Sequence, residues 1–100
     1  MARFLVTYHG QGMPDDPELM EQARTAFVEW VGQAGDAIVD PGAPLMMVTQ
    51  VSSGSPEDAV EIGGYSIIEA DDVNAAAAIL ESHPYVGRGG TLQVNEILAV

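Results

Sequence analysis

A chain of 100 residues, 47% apolar and free of cysteine, can fill one hydrophobic core and has no disulfide or thiolate chemistry. Its 15 acids stand against Arg3, Arg24 and Arg88, with no lysine, and a formal charge of −12 excludes the clustered cations that phosphate backbones and anionic membranes require. The apolar run after Met1 is too short for a signal peptide, and no stretch approaches the ~20 apolar residues of a membrane span. The expectation is a cytoplasmic, single-domain protein with neither nucleic acid nor membrane as partner.

Residues 3–8 are β-branched and aromatic and end at His9-Gly10, which reads as a first strand. Gln11 to Pro14 read as a loop. A helix start follows, with Asp15 or Asp16 as N-cap, Pro17 in the first turn and Glu18 placed for a capping box. Leu19, Ala23, Ala26, Phe27, Trp30, Val31 and Ala34 recur at helical spacing, and Gly35 supplies the stop. Asp40-Pro-Gly-Ala-Pro44 has turn chemistry and cuts off the short apolar piece Ala37–Val39, so the second strand is expected over Leu45–Val51. Ser52–Asp58 is a polar loop, and Tyr65–Ala70 a third strand after Gly63-Gly64. Asp71 is expected to cap a second helix with the stripe Val73, Ala76, Ala77 and Leu80, ended by Pro84. Gly87–Gly90 reads as a turn, and Thr91–Val100 as the last strand.

The order β-α-β-β-α-β is that of an α+β, ferredoxin-like sandwich. Two helices cover one face of a four-stranded sheet. Yet Phe4, Leu5 and Val6 are consecutive apolar residues, as are Ile67 and Ile68, so both faces carry apolar side chains. A solvated second face would alternate with polar residues. The expected remedy is a homodimer joined through the sheet faces.

Four segments carry a family resemblance: Phe4-Leu-Val-Thr-Tyr8, Gly35-Asp-Ala-Ile-Val-Asp-Pro-Gly-Ala-Pro44, Gly64-Tyr-Ser-Ile-Ile-Glu-Ala-Asp71, and His83-Pro-Tyr-Val86 with Gly89-Gly-Thr91. In this order they resemble the YCII-related family of small proteins. The resemblance implies ferredoxin-like protomers forming a dimeric α+β barrel, and relatives that process lactones. Some members use a histidine–aspartate pair. The matching positions here hold Arg24 and His83, so that pair is not preserved in that form.

Among residues able to carry chemistry, His83 leads. It continues the second helix's stripe toward the sheet, and a helix C-terminus would raise its pKa slightly, which suits acid/base work; the plainer role is a helix cap. His9, at the end of the first strand, and Asp40, in the Asp-Pro-Gly turn, are the other catalytic candidates. Against them stand a loop histidine and a turn aspartate bonding its own backbone. Tyr65, Tyr85, Arg24 and Arg88 are candidate substrate-binding residues, the arginines for a carboxylate. Two histidines far apart in sequence give no metal-ligand spacing, and no cofactor motif is present. Two functions are compatible with these residues. One is a cofactor-independent enzyme for a small organic acid or lactone; the other is a non-catalytic ligand-binding or interaction module.

Overall fold

The computed structural model describes residues 1–10 and 15–100, so the loop expected at Gln11–Pro14 lies outside the described residues. The elements run β1 (Ala2–His9), α1 (Pro17–Ala34), a short 3-10 turn (Gly35–Ala37), β2 (Ile38–Pro44), β3 (Gly64–Ala70), α2 (Val73–Leu80), α3 (Pro84–Gly87) and β4 (Thr91–Glu96). The strands form one antiparallel sheet in the order β2-β3-β1-β4. This is an α+β arrangement compatible with the ferredoxin-like expectation. Among the described residues no helix is long and apolar enough to cross a membrane.

Strand parity builds the core. Phe4 and Val6 pair with Ile68 and Ser66 across the β1–β3 ladder, so these side chains share one face. Phe4, Val6, Ile68 and Ala70 pack there against Trp30 of α1 and against Ala76 and Leu80 of α2. The helix α1 starts at Asp16, whose Oδ1 accepts the Glu18 N–H at 2.8 Å, and ends at Gly35, which has φ +57°. The cap is therefore Asp16 alone, not a capping box from Asp15. Asp72, not Asp71, caps α2 by accepting the Ala75 N–H at 2.8 Å. Leu19, Val73 and Ala77 face solvent, which leaves each apolar stripe narrower than its sequence spacing predicts.

The second strand is the main correction. It occupies Ile38–Pro44, the stretch read as a turn, while Leu45–Val51 forms no strand. The reason is position in the sheet. β2 is an edge strand paired only with β3, with register breaks between Ile38 and Asp40 and between Asp40 and Ala43. Proline and glycine are tolerated at an edge and at bulges because no second ladder needs their N–H groups. β4 also ends earlier than expected, at Glu96.

The opposite face of the sheet carries Leu5 and Ile67 as a cross-strand pair, both partly exposed. Around them lie the Arg3–Glu69 ion pair at 3.2 Å and the polar residues Gln93 and Asn95.

Candidate functional site

His83 is the centre of the site, and its position differs from the expected helix C-terminus. It is the N-cap of α3, its Nδ1 accepting the Tyr85 N–H at 3.0 Å. Pro84 opens that short helix, where its missing N–H costs nothing. The ring is 2% exposed. It is enclosed by Trp30, Phe27 and Tyr8, with ring centroids at 4.4, 5.7 and 5.1 Å. Burial in this aromatic box, with the Arg88 charge adding to it, pushes the His83 pKa down to about 4. The expected rise is thus reversed: the sequence placed a helix C-terminus here, and the fold supplies a helix N-terminus inside an apolar cage.

The hydrogen bonds around His83 have one consistent direction. Nδ1 accepts from a backbone N–H, so the neutral ring carries its proton on Nε2. Nε2–H then donates to the Tyr8 hydroxyl at 2.8 Å. Ser66 spends its own hydrogen on the Pro41 carbonyl at 2.8 Å, so Tyr8 donates to Ser66 Oγ, also at 2.8 Å. The relay runs His83 → Tyr8 → Ser66 → Pro41 C=O and ties α3, β1, β3 and β2 together. Desolvation holds the Tyr8 hydroxyl above the usual phenol range, with the Ser66 hydrogen bond opposing it, so it stays protonated. Tyr8→Phe leaves His83 Nε2–H buried without an acceptor and is expected to cost about 1–3 kcal/mol. Urea unfolding of Tyr8→Phe beside Tyr65→Phe measures it; a Tyr8→Phe variant as stable as wild type would remove the relay from the account.

A pocket of about 280 Å³ adjoins this relay. Its walls are Ala23, Arg24 and Phe27 of α1, residues 41–44 of β2, Gly63 to Tyr65, and His83, Pro84, Tyr85 and Arg88 around α3, with Tyr8 between them. The lining is largely apolar. The arginines bring charge to it. Among the described residues Arg24 pairs with Glu21 alone, exposed and at 3.3 Å, which is a weak tether. Among the described residues Arg88 forms no ion pair, and its guanidinium lies 5.6 Å from the Tyr85 ring centroid. Burial raises the Tyr85 pKa while Arg88 opposes the rise.

Five of the expected site residues (His83, Tyr65, Tyr85, Arg24 and Arg88) contribute to the walls of one pocket, but Tyr65 pairs with Thr7 and shares parity with Ile67, so its side chain lies on the other face of the sheet. Asp40 stands just behind its wall. Its Oδ1 accepts the Gly42 N–H at 2.8 Å, the turn role, and its Oδ2 accepts the Tyr65 hydroxyl at 3.2 Å. The Asp40 charge raises the Tyr65 pKa. His9 is elsewhere. It shares strand parity with Leu5 and Thr7, so it lies on the sheet's other face. There Thr7 Oγ1 lies 2.8 Å from its Nε2, and its Nδ1–H donates to Glu61 O at 3.1 Å. Sequence reasoning missed Tyr8 and Ser66. Parity could have found them: Tyr8 follows Phe4 and Val6 by twos, and Ser66 is the polar member of the Ile68–Ala70 face.

Among the described residues no three His, Cys, Asp or Glu side chains converge as a metal site. No protein-family model matches the chain, and no curated protein matches it.

Proposed function

We propose that this pocket binds a small organic acid, an apolar body bearing one carboxylate. The observation that carries the reading is that Arg24 and Arg88, two of the three cations in a chain of charge −12, flank one apolar pocket. A cation retained beside a concave apolar surface in so acidic a protein has an anionic ligand as its natural complement. Isothermal titration with benzoate and with uncharged benzamide tests it. Benzoate is expected to bind, with Arg24→Gln and Arg88→Gln each weakening it by roughly tenfold, the scale of one charge-assisted hydrogen bond. Benzamide is expected to bind weakly and be indifferent to both changes. Equal binding of the two probes, or none, would sink the reading.

Catalysis on such an acid, or on a lactone, is the second reading. It is supported by Tyr8 and His83 both lining the pocket and being joined through the Tyr8 hydroxyl at 2.8 Å. In that case ligand binding opens one bond of the relay, since both His83 ring nitrogens and the Tyr8 hydroxyl are already engaged. The same reading takes the protomer as ferredoxin-like and YCII-related, pairing with a second copy through the face that holds Leu5 and Ile67 as a dimeric barrel. The strand order and that apolar pair support it.

A further inference from the structure

Tyr8 enters the pocket from β1, and its neighbours on that strand, Thr7 and His9, turn to the opposite face of the sheet. The pocket wall contributed by Gly63 and Gly64 is bare backbone. With no side chains to pack, these two residues are placed by hydrogen bonds. Gly64 lies in the sheet between Tyr8 of β1 and Pro44 of β2. Gly63 lies one residue before that ladder, at the end of the segment 45–63, which forms neither helix nor strand. Burial does little to hold the segment, since Met46, Val48, Val51 and Val60 are all exposed.

Among the described residues, three bonds secure its return to the sheet. Gly63 N–H donates to Tyr8 O at 2.7 Å, and Leu45 N–H donates to Gly63 O at 3.1 Å. The third comes from a side chain: His9 Nδ1–H donates to Glu61 O at 3.1 Å. Its direction is fixed by chemistry. A carbonyl only accepts, so Nδ1 carries the hydrogen and Nε2 of the neutral ring is an acceptor. Thr7 Oγ1, 2.8 Å away, therefore donates to Nε2. A bond at each nitrogen leaves the ring no freedom to turn away from Glu61. Thr7 is 6% exposed, so its hydroxyl serves the ring and not a substrate. Three successive residues of β1 thus divide the work, Tyr8 lining the pocket and Thr7 and His9 facing the other way.

We infer that His9, oriented by Thr7, is a positioning residue for the pocket: from the far face of the sheet it ties residues 61–63 to β1 and so fixes the Gly63-Gly64 part of the wall. The effect on binding rests on the pocket reading above; the tie itself does not.

Nitrogen-15 spectra of the two histidines at pH 8, where imidazole is neutral, read the tie directly. His9 is expected as the Nδ1–H tautomer and His83 as the Nε2–H tautomer. Benzoate titration and amide exchange at Gly63 read its consequence. His9→Ala is expected to weaken benzoate binding about fivefold, the scale of one net hydrogen bond, and to speed Gly63 exchange by a similar factor. His9→Asn, whose amide nitrogen can take the place of Nδ1, should recover most of both. Asparagine suits a strand no better than alanine, so that recovery reports the donor and not the fold. Thr7→Val, close in shape to the buried threonine, should show the same losses in smaller measure and decides the matter if His9→Ala does not fold. Ser52→Ala, which breaks a bond internal to the segment, should move neither quantity. An Nε2–H tautomer at His9, or a His9→Ala protein that binds benzoate as wild type does, overturns the inference and leaves the pocket reading intact. If wild type binds benzoate without regard to Arg24 and Arg88, the pocket reading falls instead; the tie then stands on the tautomer and on faster Gly63 exchange in His9→Ala, and unchanged exchange overturns it.

Discussion

Lowering the pH from about 6.5 to about 4 is expected to destabilise this protein specifically through His83. Its folded pKa, about 4, lies below the ordinary 6.5. Between those values the unfolded chain binds a proton that the native chain does not, so unfolding becomes easier as pH falls. The contribution is complete above about 6.5, declines through the window and is exhausted below about 4. Its size for a ring 2% exposed is on the order of 3 kcal/mol. Protonation places a second hydrogen on Nδ1, which faces the Tyr85 N–H, so the cap of α3 is lost as well. The measurement is urea unfolding of wild type and His83→Asn at pH 7 and pH 4. Asparagine keeps an N-cap acceptor and does not titrate, and the carboxylates common to both chains cancel in the difference. The wild-type advantage should shrink by most of that amount at pH 4. A difference that stays constant would mean that His83 is not held neutral by its cage.

Gly42→Ala is expected to be the most damaging single methyl addition among the described glycines. Gly42 has φ +80°, and a Cβ there would overlap the Tyr65 carbonyl on the neighbouring strand. Backbone cannot step aside as a side chain can, so relief requires peeling this part of β2 from β3. That displaces Pro41, whose carbonyl ends the relay, and the wall formed by residues 41–44. We expect a loss of more than about 3 kcal/mol, with benzoate binding lost along with it. Gly35→Ala is the control. It also has positive φ, at +57°, but nothing lies within 4 Å of its added carbon, and a cost of only about 1–2 kcal/mol follows. Similar melting temperatures for the two variants would show that the β2–β3 approach is looser than described.

Trp30 could be assigned to the core because α1 has a regular 3.6-residue repeat and a glycine stop, both local properties. Arg24, Arg88, Tyr85 and His83 could be nominated because rarity and local setting single them out, and the fold brings all four to one pocket, while Tyr65 lends it wall but turns its side chain to the other face. His9 had similar local credentials, yet one residue of strand parity sends it to the other face, away from His83. Asp40-Pro-Gly-Ala-Pro44 shows the opposite failure. Its composition is that of a turn, and only its place at a sheet edge makes it a strand.

By itself the sequence determined the order of the four strands and the two longer helices, the Asp16 and Gly35 ends of α1, and the acidity that sets which ligands are plausible, because periodicity, capping and charge are properties of neighbouring residues. Tertiary structure alone decided the direction of the His83–Tyr8–Ser66 relay, the fall of the His83 pKa and the exposure of residues 45–63. Desolvation and hydrogen-bond direction depend on groups distant in sequence: Trp30, Tyr8 and Pro41 reach His83 and Ser66 only once the sheet and helices have closed on them.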